Sequence, residues 1–318
     1  MLDPEDSHLG YYGIPVIHGA HWKWLVIGYF FFGGISGSSA VIGAFARLLG
    51  GVRGASLARI ATYVSFLTLV PCPPLLILDL GRPARFLNML RTFQPSSPMS
   101  VGTWGLATFG IISALTTFLQ VLEDATPRPD RLCYGAQRRA WQALSVLGAS
   151  SGFFVAGYTG VLLAATAVPL WSKRPALLGP LFLSSAMTSG AAAIVAAVTV
   201  AGSETSVTDD ALQTLETIST VSEGLLLVAW IIALGPTAKP VTVGRLASIV
   251  RYGVVAGGMV LPLVIAAACE QLPRRVRRPA TLVSSALTLA GVFTLRYAVV
   301  EGGRRSADEP LAPFEMTG

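Results

Sequence analysis

The sequence predicts an all-α polytopic membrane protein, a bundle of about eight transmembrane helices with both termini on the same side. Three observations carry that prediction. Charged residues make up 13% of the chain and hydrophobic residues 53%, whereas a soluble domain carries about 25% charge. The mean hydropathy is +0.62. Apolar runs long enough to cross a hydrocarbon core, about 20 residues as a helix, occur at 22–49, 57–79, 101–122, 140–165, 176–201, 211–234, 246–268 and 280–300. Residues 1–318 read as a single membrane domain. Polar tails flank it at 1–21 and 302–318, and a charged loop at 80–100 joins two spans. The net charge of +6 suits loop arginines beside anionic lipid headgroups and calls for no nucleic acid.

Taken in order, the first span opens His21-Trp-Lys-Trp, with Trp22 and Trp24 as interfacial anchors. Gly33 and Gly37 form a small-xxx-small pair that lets a neighbouring helix come close. In the second span Pro71, Pro73 and Pro74 remove backbone donors, which predicts a kink or local unwinding before Asp79. Gly81 and Pro83 stop that helix near Leu80. The loop that follows carries Arg82, Arg85 and Arg91, and its stretch from Arg85 to Phe93 can lie as a short helix at the membrane surface. Ser97 caps the third span, with Pro98 at its first position. The fourth span repeats Gly148, Gly152, Ala156 and Gly160 at every fourth position, and the seventh adds Gly253 and Gly257. Both are packing features. The arginine cluster Arg274–Arg278 before the eighth span marks an inner side, which puts the N- and C-termini on the outer side.

Ionisable residues within spans are expensive and usually face a cavity or a partner. On the sixth span Gln213, Glu216, Thr220 and Glu223 recur at three- and four-residue steps, so they share one face. Glu216 and Glu223 stand about 10 Å apart along the axis. Beyond Glu223 the helix is wholly apolar, so the stripe enters from one surface and stops mid-membrane, the shape of a half-channel for protons. Alternate spans run in opposite directions. Counting them brings His21, Asp79, Tyr158, Arg296 and Glu301 to one side and near one level. Other chemistry finds no support. All three histidines, His8, His18 and His21, precede the first span, which argues against a bis-histidine haem. Cys72, Cys133 and Cys269 form no CxxC pair, so no metal site or iron–sulfur cluster of the protein's own is expected. No phosphate-binding loop, dinucleotide fingerprint or HExxH is present.

With these residues in place, the sequence resembles the NrfD/PsrC family, the integral membrane subunits of polysulfide-reductase-type oxidoreductases. The resemblance covers nearly its whole length. It is carried most specifically by Asp79-Leu-Gly-Arg-Pro-Ala-Arg-Phe followed by Ser97-Pro-Met-Ser-Val-Gly-Thr-Trp. Supporting pieces are Trp22-Lys-Trp with Tyr29 and the glycines after it, Tyr158-Thr-Gly-Val-Leu-Leu with Val168-Pro-Leu-Trp, Pro180-Leu-Phe-Leu-Ser-Ser-Ala, and Arg296-Tyr-Ala-Val-Val. The resemblance implies a haem-free quinone-binding membrane anchor, with menaquinone or ubiquinone as substrate. Such a subunit exchanges electrons with a docked four-cluster, ferredoxin-like iron–sulfur subunit, beside a molybdopterin catalytic subunit, in a prokaryotic inner membrane. It implies quinone contacts at His21 and Tyr158. Asp79 and Arg82 are expected at the same pocket, Glu216, Glu223 and Arg296 as proton carriers, and Arg85 and Arg91 at the docking surface. Two other classes fit parts of the pattern: a stand-alone proton-coupled transporter, and a purely structural membrane anchor.

Overall fold

The computed structural model describes residues 24–81, 88–125, 134–202, 206–269 and 273–308. Among them there is no strand. Eight helices are long and apolar enough to cross a membrane: Trp24–Leu49, Gly54–Asp79, Pro98–Ala125, Arg139–Ala164, Pro175–Ala201, Ala211–Thr242, Gly244–Cys269 and Arg275–Ala307. The expected spans are all there, each within a few residues except at the C-terminal ends of the sixth and eighth and the N-terminal end of the eighth. The sixth runs on because Gly235 and Pro236 tighten it into a 3₁₀ turn, Gly235–Ala238, without ending it. The eighth begins at Arg274 and extends to Asp308. Glu301 bridges to Arg304 and Arg305 at 3.0 and 3.3 Å, one turn on. Gly303 lies flat against Trp171, where an added Cβ would sit 2.0 Å from the indole. Trp171 fixes that end by donating from Nε1 to the Val299 carbonyl at 2.8 Å.

The first and fifth spans are the pillars of the bundle. In its most apolar window the first is 78% buried and the fifth 61%, and the eighth follows at 56%. The first packs on the second, fourth, fifth and eighth, and the fifth on the first, fourth, sixth and eighth. Small residues make these crossings possible. A Cβ on Gly37 would fall 2.5 Å from the Gly152 carbonyl, and one on Gly190 would overlap the Ser38 side chain. Gly160 in the same way admits the Leu178 carbonyl of the fifth span. Of the small residues expected to pack, Gly33 and Gly148 make only ordinary contacts, 3.7 Å or longer. Two hydroxyls pin the first pair of spans. Ser36 donates to the Ser65 carbonyl at 2.7 Å and Ser65 donates to that of Ser36 at 2.9 Å.

The punctuation predicted for the second span is present. Its helix breaks into Gly51–Leu69 and Cys72–Asp79 around Pro71. It stops at Gly81, whose φ of +69° is the left-handed conformation that glycine adopts without strain. At the start of the third span the Ser97 hydroxyl accepts from the Ser100 amide at 3.5 Å, with Pro98 in the first turn. The surface helix expected over Arg85–Phe93 is a single helical turn at 88–91 in its described part. The seventh span differs from expectation. Ile249–Val260 is π-helical. The wider turn brings Gly253 and Gly258, five residues apart, to the same neighbour: Gly253 faces Thr294, and Gly258 meets Gly291 backbone to backbone. The contact residue is therefore Gly258 rather than Gly257, whose added Cβ would approach only the Tyr252 carbonyl of its own helix.

Gly152→Val should cost about 1–3 kcal/mol by overpacking. That loss is read as a lower unfolding temperature in detergent. Gly110→Val, where an added Cβ meets nothing within 4 Å, should leave that temperature unchanged.

Candidate functional site

Two tyrosines come within electrostatic reach of one another near the end of the second span. Tyr158, half-buried on the fourth span, donates its hydroxyl to the Pro98 carbonyl at 2.5 Å. Its ring stacks on Phe154 with centroids 4.5 Å apart. Gly102 of the third span lies under the ring, where a Cβ would sit 2.8 Å away. Tyr29 of the first span is 8% exposed and close enough to Tyr158 and Cys72 to feel both. Gly33 leaves space beside Tyr29 and Cys72: its Cβ would be 3.7 Å from the Tyr29 ring and 3.9 Å from the Cys72 sulfur. The Tyr29 hydroxyl makes no hydrogen bond among the described residues. The residue is buried and its phenol oxygen carries an unused O–H, so this hydroxyl is a donor in reserve.

The rim of this region comes from the loop before the third span. Ser100, buried, accepts from the Gln94 amide at 3.0 Å and donates to the Thr92 carbonyl at 3.4 Å. That holds Phe93 edge-on to Trp104, with centroids 6.0 Å apart. Arg91 is exposed beside them, and Asp79 is half-buried at the end of the second span. His21, Arg82 and Arg85 lie outside the described residues.

The stripe on the sixth span forms a second constellation. Gln213 donates to the Ala266 carbonyl at 3.3 Å, and Glu216 accepts from the Thr288 hydroxyl at 3.2 Å. Both line a cavity of about 670 Å³, counted with its mouth, between the fifth, sixth, seventh and eighth spans, with Arg277 and Thr281 also in its wall. Deeper in, Glu223 is 1% exposed. The Ser185 and Thr188 hydroxyls lie against its carboxylate, yet neither carboxylate oxygen completes an aligned hydrogen bond among the described residues. Thr188 donates instead to the Ser184 carbonyl at 3.1 Å, and Ser185 accepts from Arg296 at 2.9 Å.

Arg296 is 1% exposed and within electrostatic reach of Glu223. Helix counting sets it beside Tyr158. The structure brings it to Glu223 instead, because it stands 11 residues before Ala307, roughly 16 Å along the helix at 1.5 Å per residue. Its Nε donates to the Phe30 carbonyl at 3.0 Å and its Nη1 to Ser185 and, at 3.2 Å, to the Val292 carbonyl. Nη2 has no partner among the described residues and presses on Gly34, where a Cβ would come within 2.7 Å. Glu301, grouped by the same counting, pairs with Arg304 and Arg305 at the helix end.

A third polar group closes the far ends of the first four spans. Arg47 donates to Gln120 at 2.7 Å and lies 3.7 Å over the Trp141 ring. Asp124 accepts from Gln120, pairs with Arg59 at 2.9 Å and accepts from Tyr63 at 2.6 Å. A cavity of about 390 Å³ beneath Arg47 is walled by these spans. Sequence reasoning missed this network, Ser185, and the free hydroxyl of Tyr29. Only Tyr29 carried a signal: it precedes Gly33 by one turn and so shares its face.

Breaking a buried charge pair leaves one charge uncompensated, at a cost of about 3–5 kcal/mol. Arg296→Gln also removes hydrogen bonds to Phe30, Ser185 and Val292, whereas Glu223 makes none among the described residues, so Arg296→Gln should destabilise the protein more than Glu223→Gln. The double variant should recover part of the loss, with a coupling of about 0.5–3 kcal/mol in a thermal-unfolding cycle.

Known proteins share this outline. The family model described as "Polysulphide reductase, NrfD" matches residues 17–306. The C chain of polysulfide reductase from Wolinella succinogenes is 26% identical over 307 residues, an overlap of 89% of the present sequence and 94% of that relative.

Proposed function

This protein belongs to the polysulphide reductase NrfD family, and on that premise we propose that it is the quinone-binding membrane subunit of a respiratory oxidoreductase complex. The observation that carries the proposal is the hydroxyl of Tyr29: on a buried residue, without a partner among the described residues, and within electrostatic reach of Tyr158 and Cys72. A quinone carbonyl is a neutral acceptor that this phenol can satisfy without bringing a charge into the membrane. Tyr158 holds the opposite wall. Its bond to the Pro98 carbonyl orients the phenol, whose oxygen still has room to accept from a quinol hydroxyl. His21 supplies the further contact from the start of the first span. Asp79 and Arg82 belong at the outer edge of the same pocket. Menaquinone and ubiquinone offer the same pair of carbonyls, and either fits this chemistry.

Reducing a quinone to a quinol takes two electrons and two protons, and the reverse reaction returns them. The electrons pass one at a time to or from a docked iron–sulfur subunit of the four-cluster type, itself joined to a molybdopterin catalytic subunit. The exposed rim of Arg91, Phe93 and Trp104 supports that docking surface, to which the sequence adds Arg85. Aromatic and arginine side chains are those that anchor protein interfaces. The name of the Wolinella succinogenes relative, one of the chains of polysulfide reductase, supports membership of a complex rather than work as a lone transporter. Protons enter by the cavity at Glu216 and pass inward to Glu223 and Arg296. This side of the protein is the cytoplasmic one, with the N- and C-termini outside a prokaryotic inner membrane.

Tyr29→Phe removes one oxygen and should lower quinone-linked turnover of the assembled complex by about 10²-fold, the scale of a lost positioned proton donor. Tyr158→Phe should do the same, with the partner subunits still co-purifying. Normal turnover in both variants would overturn the assignment. Glu216→Gln should slow proton uptake by membrane vesicles, followed with a pH-sensitive dye, and leave partner binding intact.

A further inference from the structure

Arg296 touches both constellations at once. Its Nε donates to the Phe30 carbonyl, and Phe30 follows Tyr29 in sequence and sets its ring 5.7 Å from the Tyr29 ring. On its other side stand Ser185 and Glu223. Within the first helix the Phe30 carbonyl also faces the Gly34 amide one turn on, so the guanidinium leans on the turn that carries Tyr29. Gly34 is what lets it in, since a Cβ there would come 2.7 Å from Nη2. We propose that Arg296, seated in the slot left by Gly34, is a positioning residue that couples the charge of Glu223 to the set of Tyr29, and so links proton arrival to quinone binding. The proposal rests on the quinone reading given above and extends it to how the two constellations communicate.

The unpartnered atoms define the two states. Nη2 of Arg296 and both oxygens of Glu223 lack hydrogen bonds among the described residues. The two side chains lie within electrostatic reach of one another without closing an ion pair, and among the described residues no other charge acts on either. Ser185 stands between them, already accepting from Nη1 and able to turn its own proton toward Glu223. With Glu223 ionised, the guanidinium is drawn toward the carboxylate and its hold on the Phe30 carbonyl weakens. With Glu223 neutral, that pull is gone and Arg296 stays on Phe30. The groups packed around the pair from the fifth span are the Ser185 and Thr188 hydroxyls, and the first span contributes the Phe30 carbonyl. Tyr29 itself is faced by Cys72 and Tyr158.

The test measures binding of a fluorescent hydroxyquinoline, a quinone-site probe, to the detergent-solubilised complex across the pH range in which it stays assembled. The Kd of the native complex should change by about fivefold, the lower end of coupling between linked sites. Glu223→Gln keeps the volume and removes the charge, so its Kd should not vary with pH. Gly34→Ala crowds Nη2 and should shift the Kd and flatten its pH dependence. Gly28→Ala, facing only Leu75 at 3.4 Å or more, should keep the native profile. An unchanged pH dependence in Glu223→Gln overturns the coupling while leaving quinone binding standing, as does a flat profile in the native complex. No binding of the probe by the native complex instead removes the quinone reading and this inference with it. Where Gly34→Ala fails to assemble, the Glu223→Gln profile decides alone.

Discussion

A guanidinium buried in the middle of a membrane has to find its acceptors among backbone and hydroxyl oxygens, because no water competes for it. Arg296 finds three, from the first, fifth and eighth spans, and these spans are the most buried of the bundle. Much of the interior follows from that requirement. The first span must approach closely, which calls for Gly34. The fifth must present a hydroxyl, which calls for Ser185. A carboxylate must stand within reach to balance the charge, and Glu223 does so. The glycine and serine crossings at Gly37, Ser38, Gly152 and Gly190 bring the backbones near enough for one side chain to span them.

The same economy separates two kinds of chemistry in space. The tyrosine pair sits near the rim formed by the loop before the third span, where Phe93 and Trp104 are exposed. The cavity at Glu216 opens at the other membrane face, near Arg277. Between them lie Glu223 and Arg296, so the cavity with its carboxylates and the tyrosine pair approach each other without merging. The Arg47–Gln120–Asp124 network ties off the remaining corner and keeps the ends of the first four spans together.

Most of the fold was legible in the sequence, because length and apolarity are one-dimensional properties. So were the break at Pro71, the stop at Gly81 and the cap at Ser97, since each depends on a local backbone rule. The stripe on the sixth span was legible for a similar reason: four residues at helical spacing need only one helix to be described. The depth of Arg296 was not. Counting helix directions gives a side, but the eighth span continues past Glu301 on the strength of two glycines packed on Trp171 and Val241, and no local pattern announces a tertiary contact of that kind. The free hydroxyl of Tyr29 was hidden for the converse reason. An unsatisfied group is defined by what its neighbours fail to offer, and those neighbours come from other, distant parts of the sequence.

The π-helical turn of the seventh span gives that helix a length that cannot be traded. Each turn of this kind holds an extra residue relative to an α-helix. A one-residue deletion within Ile249–Val260 that left the wide turns in place would rotate everything after it by roughly a quarter turn. The Ala266 carbonyl would then leave Gln213, and Cys269 would leave the cavity wall. The composition of the span would hardly change, and it would still cross the membrane. The wall of the cavity at Glu216 is thus set by a residue count some two turns away from it, so that an insertion or deletion invisible to hydropathy would close or reshape the opening.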